Sequence, residues 1–130
     1  MRIVIIEDYA GIRVALQLIL SLEGHEIVVF DRGDAALPYL AQEQADLILL
    51  DLRTNGITGL EFSNRLRSIA TWPGGSRPLL GILSASQDIA SKAGQMGADF
   101  WMQKPFDQEA LLSKIREARA QADMKCAIGF

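Results

Sequence analysis

The sequence predicts an α/β fold of the doubly wound kind, in which one five-stranded parallel sheet carries helices on both faces. Five short apolar segments alternate strictly with five segments that have apolar residues three and four positions apart. The run Leu47-Ile48-Leu49-Leu50 has no polar position, as expected of a strand that is covered on both sides. Each helical segment can form the right-handed crossover that joins two parallel strands. The length of 130 residues favours a single domain.

The apolar runs give the approximate bounds of ten elements in chain order. Strands are predicted at residues 2–6, 26–30, 47–50, 79–83 and 100–102. Helices are predicted at residues 11–23, 33–43, 60–70, 87–95 and 107–120. The strict alternation leaves no repeat, linker or low-complexity stretch that would indicate a second domain.

Flanking residues support the helices in turn. Gly24 stops the first helix, and Pro38 is expected to disturb the first half of the second. The third helix follows Gly59, and a Pro- and Gly-rich loop at 71–76 separates it from the fourth strand. Asp107 is the expected cap of the last helix, because its carboxylate can accept a hydrogen bond from a free backbone N–H of the first turn.

Composition excludes several classes of function. The net charge of −3 argues against a general nucleic-acid surface, which needs clustered Lys and Arg. No apolar run approaches the ~18 residues that span a bilayer, so we expect no membrane partner. Cys126 is the single cysteine, which excludes an internal disulfide and fits a reducing cytoplasm.

Polar residues with chemistry follow several of the predicted strands. Glu7 and Asp8 follow the first, Asp51 the third, Ser84 the fourth and Lys104 the fifth. In a parallel sheet these positions share the carboxyl edge, where such folds bind ligands. Carboxylates at hydrogen-bonding range repel by roughly 4 kcal/mol per pair at an effective dielectric near 20. Mg²⁺ suits such a cluster because it binds a few carboxylates and several waters. The edge therefore has the groups needed to receive a phosphoryl group.

The order and spacing of these residues resemble the receiver domain of two-component response regulators, of the single-domain chemotaxis type. The matching motifs are Glu7-Asp8, Asp51, Gly59, Ser84-Ala85 and the segment Gly97-Ala98-Asp99-Phe100-Trp101-Met102-Gln103-Lys104-Pro105-Phe106. The resemblance covers residues 1–120 and leaves residues 121–130 as a C-terminal tail. It implies the flavodoxin-like strand order 2-1-3-4-5.

The resemblance implies that Asp51 is the phosphoryl acceptor and becomes an acyl phosphate. It also implies a Mg²⁺ cofactor. Asp8 and Asp51 would be direct ligands, Glu7 would act through a water, and the backbone carbonyl of Arg53 would complete the protein ligands. A protein of this kind catalyses only its own phosphorylation and dephosphorylation, so we do not expect an enzyme that acts on other substrates.

The remaining motif residues receive roles by the same resemblance. Ser84, the backbone of Ala85 and Lys104 would bind the phosphoryl group. Ser84 and Trp101 would form the switch, although a buried core tryptophan is the alternative for Trp101, and helix capping is an alternative for Ser84. Pro105 makes a cis peptide bond after Lys104 a low-cost conformation.

This chain departs from the usual motif at several positions. Glu7 replaces the commoner aspartate, and one extra methylene is tolerated if a water intervenes. Asn55 stands where many receivers have proline, so we expect a more mobile loop. Arg53 and Ser86 occupy rim positions from which they would tune dephosphorylation, Arg53 by screening the acyl phosphate from water.

The implied function is a cytoplasmic phosphorylation switch in a phosphorelay. A sensor histidine kinase or a histidine phosphotransfer protein would act upstream. The face formed by helix four, strand five and helix five would regulate a protein target, with no direct contact to nucleic acid. A homodimer through this face, or through the tail with Met124, Ile128 and Phe130, is a candidate assembly. The chain is expected to be either a stand-alone regulator or a module of a longer protein.

Two other classes of protein fit the residues less well. A magnesium-dependent phosphatase with an aspartate nucleophile needs a second acid two residues later, where this chain has Arg53. A flavodoxin-like electron carrier needs a hydroxyl- and glycine-rich phosphate loop after the first strand. Here the corresponding segment is Glu7-Asp8-Tyr9-Ala10, which offers neither.

Overall fold

The computed structural model describes residues 1–53 and 56–127 of the chain. Its strands are Arg2–Ile6 (β1), Glu26–Phe30 (β2), Leu47–Asp51 (β3), Leu79–Ser84 (β4) and Phe100–Gln103 (β5). Its α-helices are Ala10–Leu22 (α1), Gly33–Gln42 (α2), Gly59–Arg67 (α3), Ile89–Met96 (α4) and Gln108–Ala127 (α5). A short 3₁₀ turn, Pro73–Gly75, lies in the loop before β4.

The strands form one parallel sheet in the order β2-β1-β3-β4-β5, which confirms the predicted fold class and strand order. At the carboxyl edge, Ile6 of β1 is paired with Phe30 and Leu50 on its two sides. Further along this edge Asp51 is paired with Leu83, and Ser84 with Gln103. The ends of the strands are therefore level, and the residues that follow them meet along one line.

The core lies in two layers because successive side chains of a strand point to opposite faces of the sheet. Val4, Ile6, Ile48 and Leu50 face one layer, which α2, α3 and α4 complete with residues such as Phe62. The other layer is completed by α1 and α5, and its buried members are Ile3, Ile5, Leu16, Leu20, Leu47, Leu49, Leu79, Leu83, Met102, Leu111, Leu112, Ile115 and Ala118. Both faces of β3 are buried, as its uninterrupted apolar run predicts.

Two helices begin with a side-chain cap. The predicted cap Asp107 accepts a hydrogen bond from the backbone N–H of Ala110 at 2.7 Å, and α5 begins at the next residue. Thr58 caps α3 in the same way, through a 3.1 Å hydrogen bond from the N–H of Glu61 to its Oγ1 atom. These caps fix the direction in which the chain enters each helix.

Most helix ends lie within one or two residues of the prediction, but three helices differ from it in other ways. The helix α2 is continuous through Pro38, which was expected to disturb it. The α3 helix ends at Arg67, where the next residue, Ser68, turns its hydroxyl back to the carbonyl of Arg65 at 2.7 Å. The α5 helix continues past residue 120 to Ala127.

Gly81 on β4 lies directly against the ring of Phe100 on β5. A Cβ atom at this position would approach the Cζ atom of Phe100 to 2.3 Å, which is far inside the contact distance. Phe100 is also the strand partner of Gly81 in the sheet. The missing side chain thus creates the space in which the first residue of β5 packs.

Some expectations concern residues that lie outside the described part. They are the mobility of the loop at Asn55 and the contacts of Ile128 and Phe130 in the tail. The backbone of Met124 lies in α5. Among the described helices, none has the combination of length and apolar character that a membrane span requires.

Candidate functional site

The structure brings the predicted site residues together at the carboxyl edge of the sheet. Glu7 and Asp8 follow β1 directly, and Asp51 is the last residue of β3. Ser84 is the last residue of β4, and Lys104 follows β5. Because these strands are adjacent in the order β1-β3-β4-β5, the acids, the hydroxyl and the ammonium line one crevice.

Three carboxylates form a cluster that could hold a divalent cation. One oxygen each of Glu7, Asp8 and Asp51 lies within 4.8 Å of the other two. Glu7 is 1% exposed and Asp51 is 6% exposed, whereas Asp8 is half-buried. Carboxylate oxygens are the hard ligands that Mg²⁺ prefers, and Mg²⁺ usually binds one or two carboxylates and keeps several waters. The donor set therefore fits Mg²⁺.

Lys104 connects two of these acids. Its Nζ atom lies 2.9 Å from Oδ2 of Asp51 and 3.0 Å from Oε2 of Glu7. Its side chain is 17% exposed, so both ion pairs are largely shielded from water. The backbone N–H of Lys104 donates to the carbonyl of Ser84 at 2.8 Å, and the Lys104–Pro105 peptide bond is cis. These contacts hold the ammonium over the acids.

Burial and hydrogen bonding shift the pKa values of the two buried acids, Glu7 and Asp51, in opposite directions. Burial raises the pKa of Glu7 to about 7, and its hydrogen bond with Asp51 acts in the same direction, against the opposing effect of Lys104. Burial also opposes ionisation of Asp51, but hydrogen bonds from Glu7, the Arg53 backbone and Lys104 outweigh it and lower the pKa of Asp51. Burial tends to lower the pKa of Lys104, but its bonds to Asp51 and Glu7 prevail and raise it. Of these two acids, Asp51 is therefore the more fully ionised at neutral pH.

Ser84 is 1% exposed and points into the β4–α4 loop. Its Oγ accepts a hydrogen bond from the backbone N–H of Ser86 at 3.1 Å. The residue before α4 is Asp88, so Ser84 stabilises the loop turn and is not the cap of that helix. Ser86 donates its hydroxyl to Asp88, and its carbonyl accepts from Gln103 at 3.4 Å. Ala85 lies between the two serines, on the same edge.

Arg53 lies at the edge of the crevice, two residues after Asp51. The backbone N–H of Arg53 donates to Oδ1 of Asp51 at 2.9 Å, while the Arg53 side chain is exposed.

Trp101 is 42% exposed, which rules out the buried core role considered as its alternative. It lines an open groove of about 660 Å³ whose walls come from α4, β5 and α5. The groove is thus a partly apolar surface next to the site.

The sequence model of the response regulator receiver domain matches residues 3–116. This chain is a response regulator receiver domain. The match includes all the acids of the cluster, Ser84 and Lys104, and it extends into α5.

Curated relatives agree with this family. The receiver domain is 34% identical over 125 residues to the uncharacterized transcriptional regulatory protein YkoG of Bacillus subtilis, which covers 95% of this chain and 53% of that protein. It is 32% identical over 118 residues to the response regulator MprA of Mycobacterium leprae, covering 89% of this chain and 50% of that protein. The chain therefore spans about half the length of the curated relatives that it matches.

A solved structure shows the same fold. The receiver domain of the sensor histidine kinase PA1611 from Pseudomonas aeruginosa superimposes with a TM-score of 0.78 at 21% identity. The match covers 89% of this chain and 94% of that one. In that protein a magnesium ion is coordinated in the active site cleft.

The contact of Arg13 with the loop before α1 is not among those that the sequence predicts. The Nη1 atom of Arg13, on α1, lies 2.9 Å from the carbonyl oxygen of Glu7 and 3.5 Å from that of Asp8. The available signal was an arginine five residues after Asp8, early enough in a helix to reach back over the preceding loop. Helical spacing alone does not distinguish such a contact from an exposed surface arginine.

Proposed function

We propose that this receiver domain is a phosphorylation-dependent switch whose acceptor is Asp51. The observation that carries the proposal is the position of the Asp51 carboxylate. It is nearly buried, lies within 4.8 Å of Glu7 and Asp8 oxygens, and contacts the Lys104 ammonium at 2.9 Å. Phosphoryl transfer is catalysed mostly by positioning and by stabilisation of charge, and this arrangement can provide both.

In the proposed reaction, an Asp51 carboxylate oxygen attacks the phosphorus of a phosphohistidine. The P–N bond breaks, its electron pair remains on the imidazole, and Asp51 becomes an acyl phosphate. Asp8, Asp51 and the carbonyl of Arg53 would hold Mg²⁺ directly, with Glu7 acting through a water. Bound there, the ion would neutralise charge on the phosphoryl oxygens. Lys104 would supply a second positive charge to the same oxygens.

The response would begin at Ser84 and the Ala85 backbone, which would bind the phosphoryl group. Ser84 would leave its bond with the N–H of Ser86, and Trp101 would move inward from its exposed position. This would reshape the surface of α4, β5 and α5, including the groove that Trp101 lines. Arg53 and Ser86 at the rim would set the lifetime of the acyl phosphate.

The proposed partners are proteins. A sensor histidine kinase or a histidine phosphotransfer protein would donate the phosphoryl group, and a protein target or a second copy would read the α4–β5–α5 surface. A net charge of −3 favours a protein target over nucleic acid. The relatives YkoG, named as a transcriptional regulatory protein, and MprA, named as a response regulator, are about twice as long as this chain, so the proposal concerns the receiver domain alone. We place its bounds at residues 1–120 and its site of action in the cytoplasm.

A small phosphodonor tests the acceptor. The wild-type protein is incubated with acetyl phosphate and Mg²⁺, and the adduct is located by mass spectrometry. We expect one phosphoryl group on Asp51, stable for seconds or longer, and none without Mg²⁺. Asp51→Asn should abolish the adduct, while Asp123→Asn, at an exposed position on α5, should leave it unchanged. An adduct on another residue, or rapid repeated hydrolysis of phosphate esters, would contradict the proposal.

A further inference from the structure

We propose that Arg13 is a positioning residue for the metal site, because its guanidinium holds the loop that carries Glu7 and Asp8. The inference rests on the proposed binding of Mg²⁺ by these acids. Arg13 does not touch the carboxylates; it contacts the backbone carbonyls of the same two residues, at 2.9 Å and 3.5 Å. It would act on the ion through the placement of its ligands.

The loop between β1 and α1 is short and has few other restraints. It consists of residues 7–9, and its start is fixed by a 3.0 Å bond from the N–H of Glu7 to the carbonyl of Phe30 on β2. Tyr9, the residue before α1, makes no side-chain capping bond, and the first turn of α1 has no acidic residue. The usual means of fixing the entry to a helix are therefore absent here.

A second side-chain bond to the backbone of this loop, within the described part of the chain, comes from a group that the ion would engage. The N–H of Tyr9 donates to Oε1 of Glu7 at 3.3 Å, which is a long bond. Glu7 also faces Asp51 and Lys104, so its carboxylate serves the site as well as the loop. Among the side-chain bonds that the described residues make to the backbone of this loop, those of Arg13 do not involve a carboxylate. The Nη1 atom of the guanidinium alone reaches the carbonyls of both Glu7 and Asp8.

Two effects of Arg13 on Mg²⁺ affinity have opposite signs. Its positive charge, close to the acidic loop, repels a cation, so a neutral residue at position 13 would strengthen binding by electrostatics alone. Its hydrogen bonds orient the ligands, so the same replacement would weaken binding through geometry. Groups that orient metal ligands commonly change affinity by about 10–100-fold. The sign of the change therefore separates a positioning role from a purely electrostatic one.

The test is a Mg²⁺ titration of the full chain. Binding is monitored through the NMR chemical shifts of the backbone amides of residues 8–10 and 53. The variants are Arg13→Met and Arg13→Lys, with Arg116→Met as the control. Arg116 lies 3.8 Å from Glu23, just beyond the other end of α1, so its replacement removes the same charge away from the site. We expect about tenfold weaker binding in Arg13→Met, a smaller loss in Arg13→Lys, and no loss in Arg116→Met.

The outcomes separate this inference from the proposed function. Equal or tighter Mg²⁺ binding by Arg13→Met would overturn the role of Arg13 and leave the metal site standing. A wild-type protein with no saturable Mg²⁺ binding would overturn both. Urea unfolding of each variant checks that it is folded. If Arg13→Met does not fold, Arg13→Lys decides, because it keeps the positive charge but loses the guanidinium group. Unchanged Mg²⁺ affinity in Arg13→Lys would then overturn the proposal.

Discussion

At the scale of the residue, the site depends on how two buried acids share one lysine. Lys104 contacts both Glu7 and Asp51, yet the pKa of Glu7 is raised to about 7 while that of Asp51 is lowered. At neutral pH Asp51 is therefore the more fully ionised of these two acids. That residue is the proposed nucleophile, and the ionised form is the one that can attack phosphorus.

The raised pKa of Glu7 predicts how stability depends on pH. Its ordinary value is 4.5 and its value in the fold is about 7, so between these values the folded protein binds more protons than the unfolded chain. Stability contributed by this group is thus present at low pH and is lost as the pH rises from about 4.5 to 7, by at most about 1.4 kcal/mol per unit. The lowered pKa of Asp51 affects stability at pH values below this window, and the raised pKa of Lys104 affects it at pH values above the window.

Urea unfolding in EDTA from pH 5 to 8 measures this dependence. The informative quantity is the difference between the wild-type protein and Glu7→Gln, which cannot ionise. The unfolding free energy of the wild type should fall relative to that of Glu7→Gln across the window. A difference that is flat, or that rises with pH, would contradict the raised pKa of Glu7.

Arg53 combines a backbone role with a side-chain role that can be separated. Its N–H donates to Asp51, and this bond survives substitution, whereas its side chain is exposed at the rim. We expect Arg53→Ala to shorten the lifetime of the phosphorylated form by up to about tenfold, or ~1.4 kcal/mol in the barrier, because water reaches the acyl phosphate more easily. Mg²⁺ affinity should stay unchanged.

Hydrolysis is measured as the rate at which the adduct disappears after the phosphodonor is removed. Arg65→Ala is the matched control, since Arg65 pairs with Glu61 on the exposed side of α3. An unchanged lifetime in Arg53→Ala would remove that side chain from the mechanism.

The sequence predicts which residues meet but not all of their contacts. Placing Asp51, Ser84 and Lys104 on one edge required only the ends of apolar runs and the rule that parallel strands share an edge. The direct bond from Lys104 to Glu7, which was expected to act through a water on the ion, depends on side-chain rotamers set by packing. The reach of Arg13 across the loop is of the same kind. Neither follows from spacing.

At the scale of the element, strands were easier to predict than helix ends. β1 and β2 have the predicted bounds, because their apolar runs begin and end sharply. The sequence pattern predicts an α3 helix that is too long, because Ile69 continues its apolar spacing. Ile69 does pack on the core, but from beyond the end of the helix. The α5 helix was ended too early because its apolar stripe fades after Ala118, although nothing in residues 121–127 stops a helix.

The contribution of the Asp107 cap to the stability of α5 can be tested by substitution. Asp107→Ala removes the acceptor of the Ala110 N–H and a negative charge at the start of a 20-residue helix. We expect a loss of about 1 kcal/mol in the unfolding free energy. The measurement is urea denaturation followed by circular dichroism.

Asp123→Ala provides the comparison for this cap. Asp123 is an exposed acid near the other end of α5, where no free N–H needs a partner. This variant should lose no stability. Equal losses in the two variants would show that the carboxylate of Asp107 has no capping role.

At the scale of the whole molecule, the site exists only when the sheet is complete. Lys104 and Glu7 are 97 residues apart in the chain, and Lys104 and Asp51 are 53 apart. An unfolded chain does not keep such groups together, so a ligand of this site binds the folded state and stabilises all of it. Binding at the edge and global unfolding are therefore coupled.

Mg²⁺ should raise the stability of the entire domain. At a concentration 100 times its Kd, the unfolding free energy should increase by about 2.7 kcal/mol. Urea unfolding with and without Mg²⁺ measures the increase, and Asp51→Asn should lose most of it. A stabilisation of the same size in Asp51→Asn would mean that the ion acts somewhere other than this cluster.

The contact between Gly81 and Phe100 has a consequence for engineering this domain. β5 carries Trp101 and leads directly into Lys104, and its first residue occupies a space that exists only because its neighbour lacks a side chain. A chimera that grafts this edge strand onto a related scaffold would have to transfer the glycine as well. Without it, an added methyl group would push the aromatic ring outward and shift the lysine away from the acids, although no residue of the crevice had been changed.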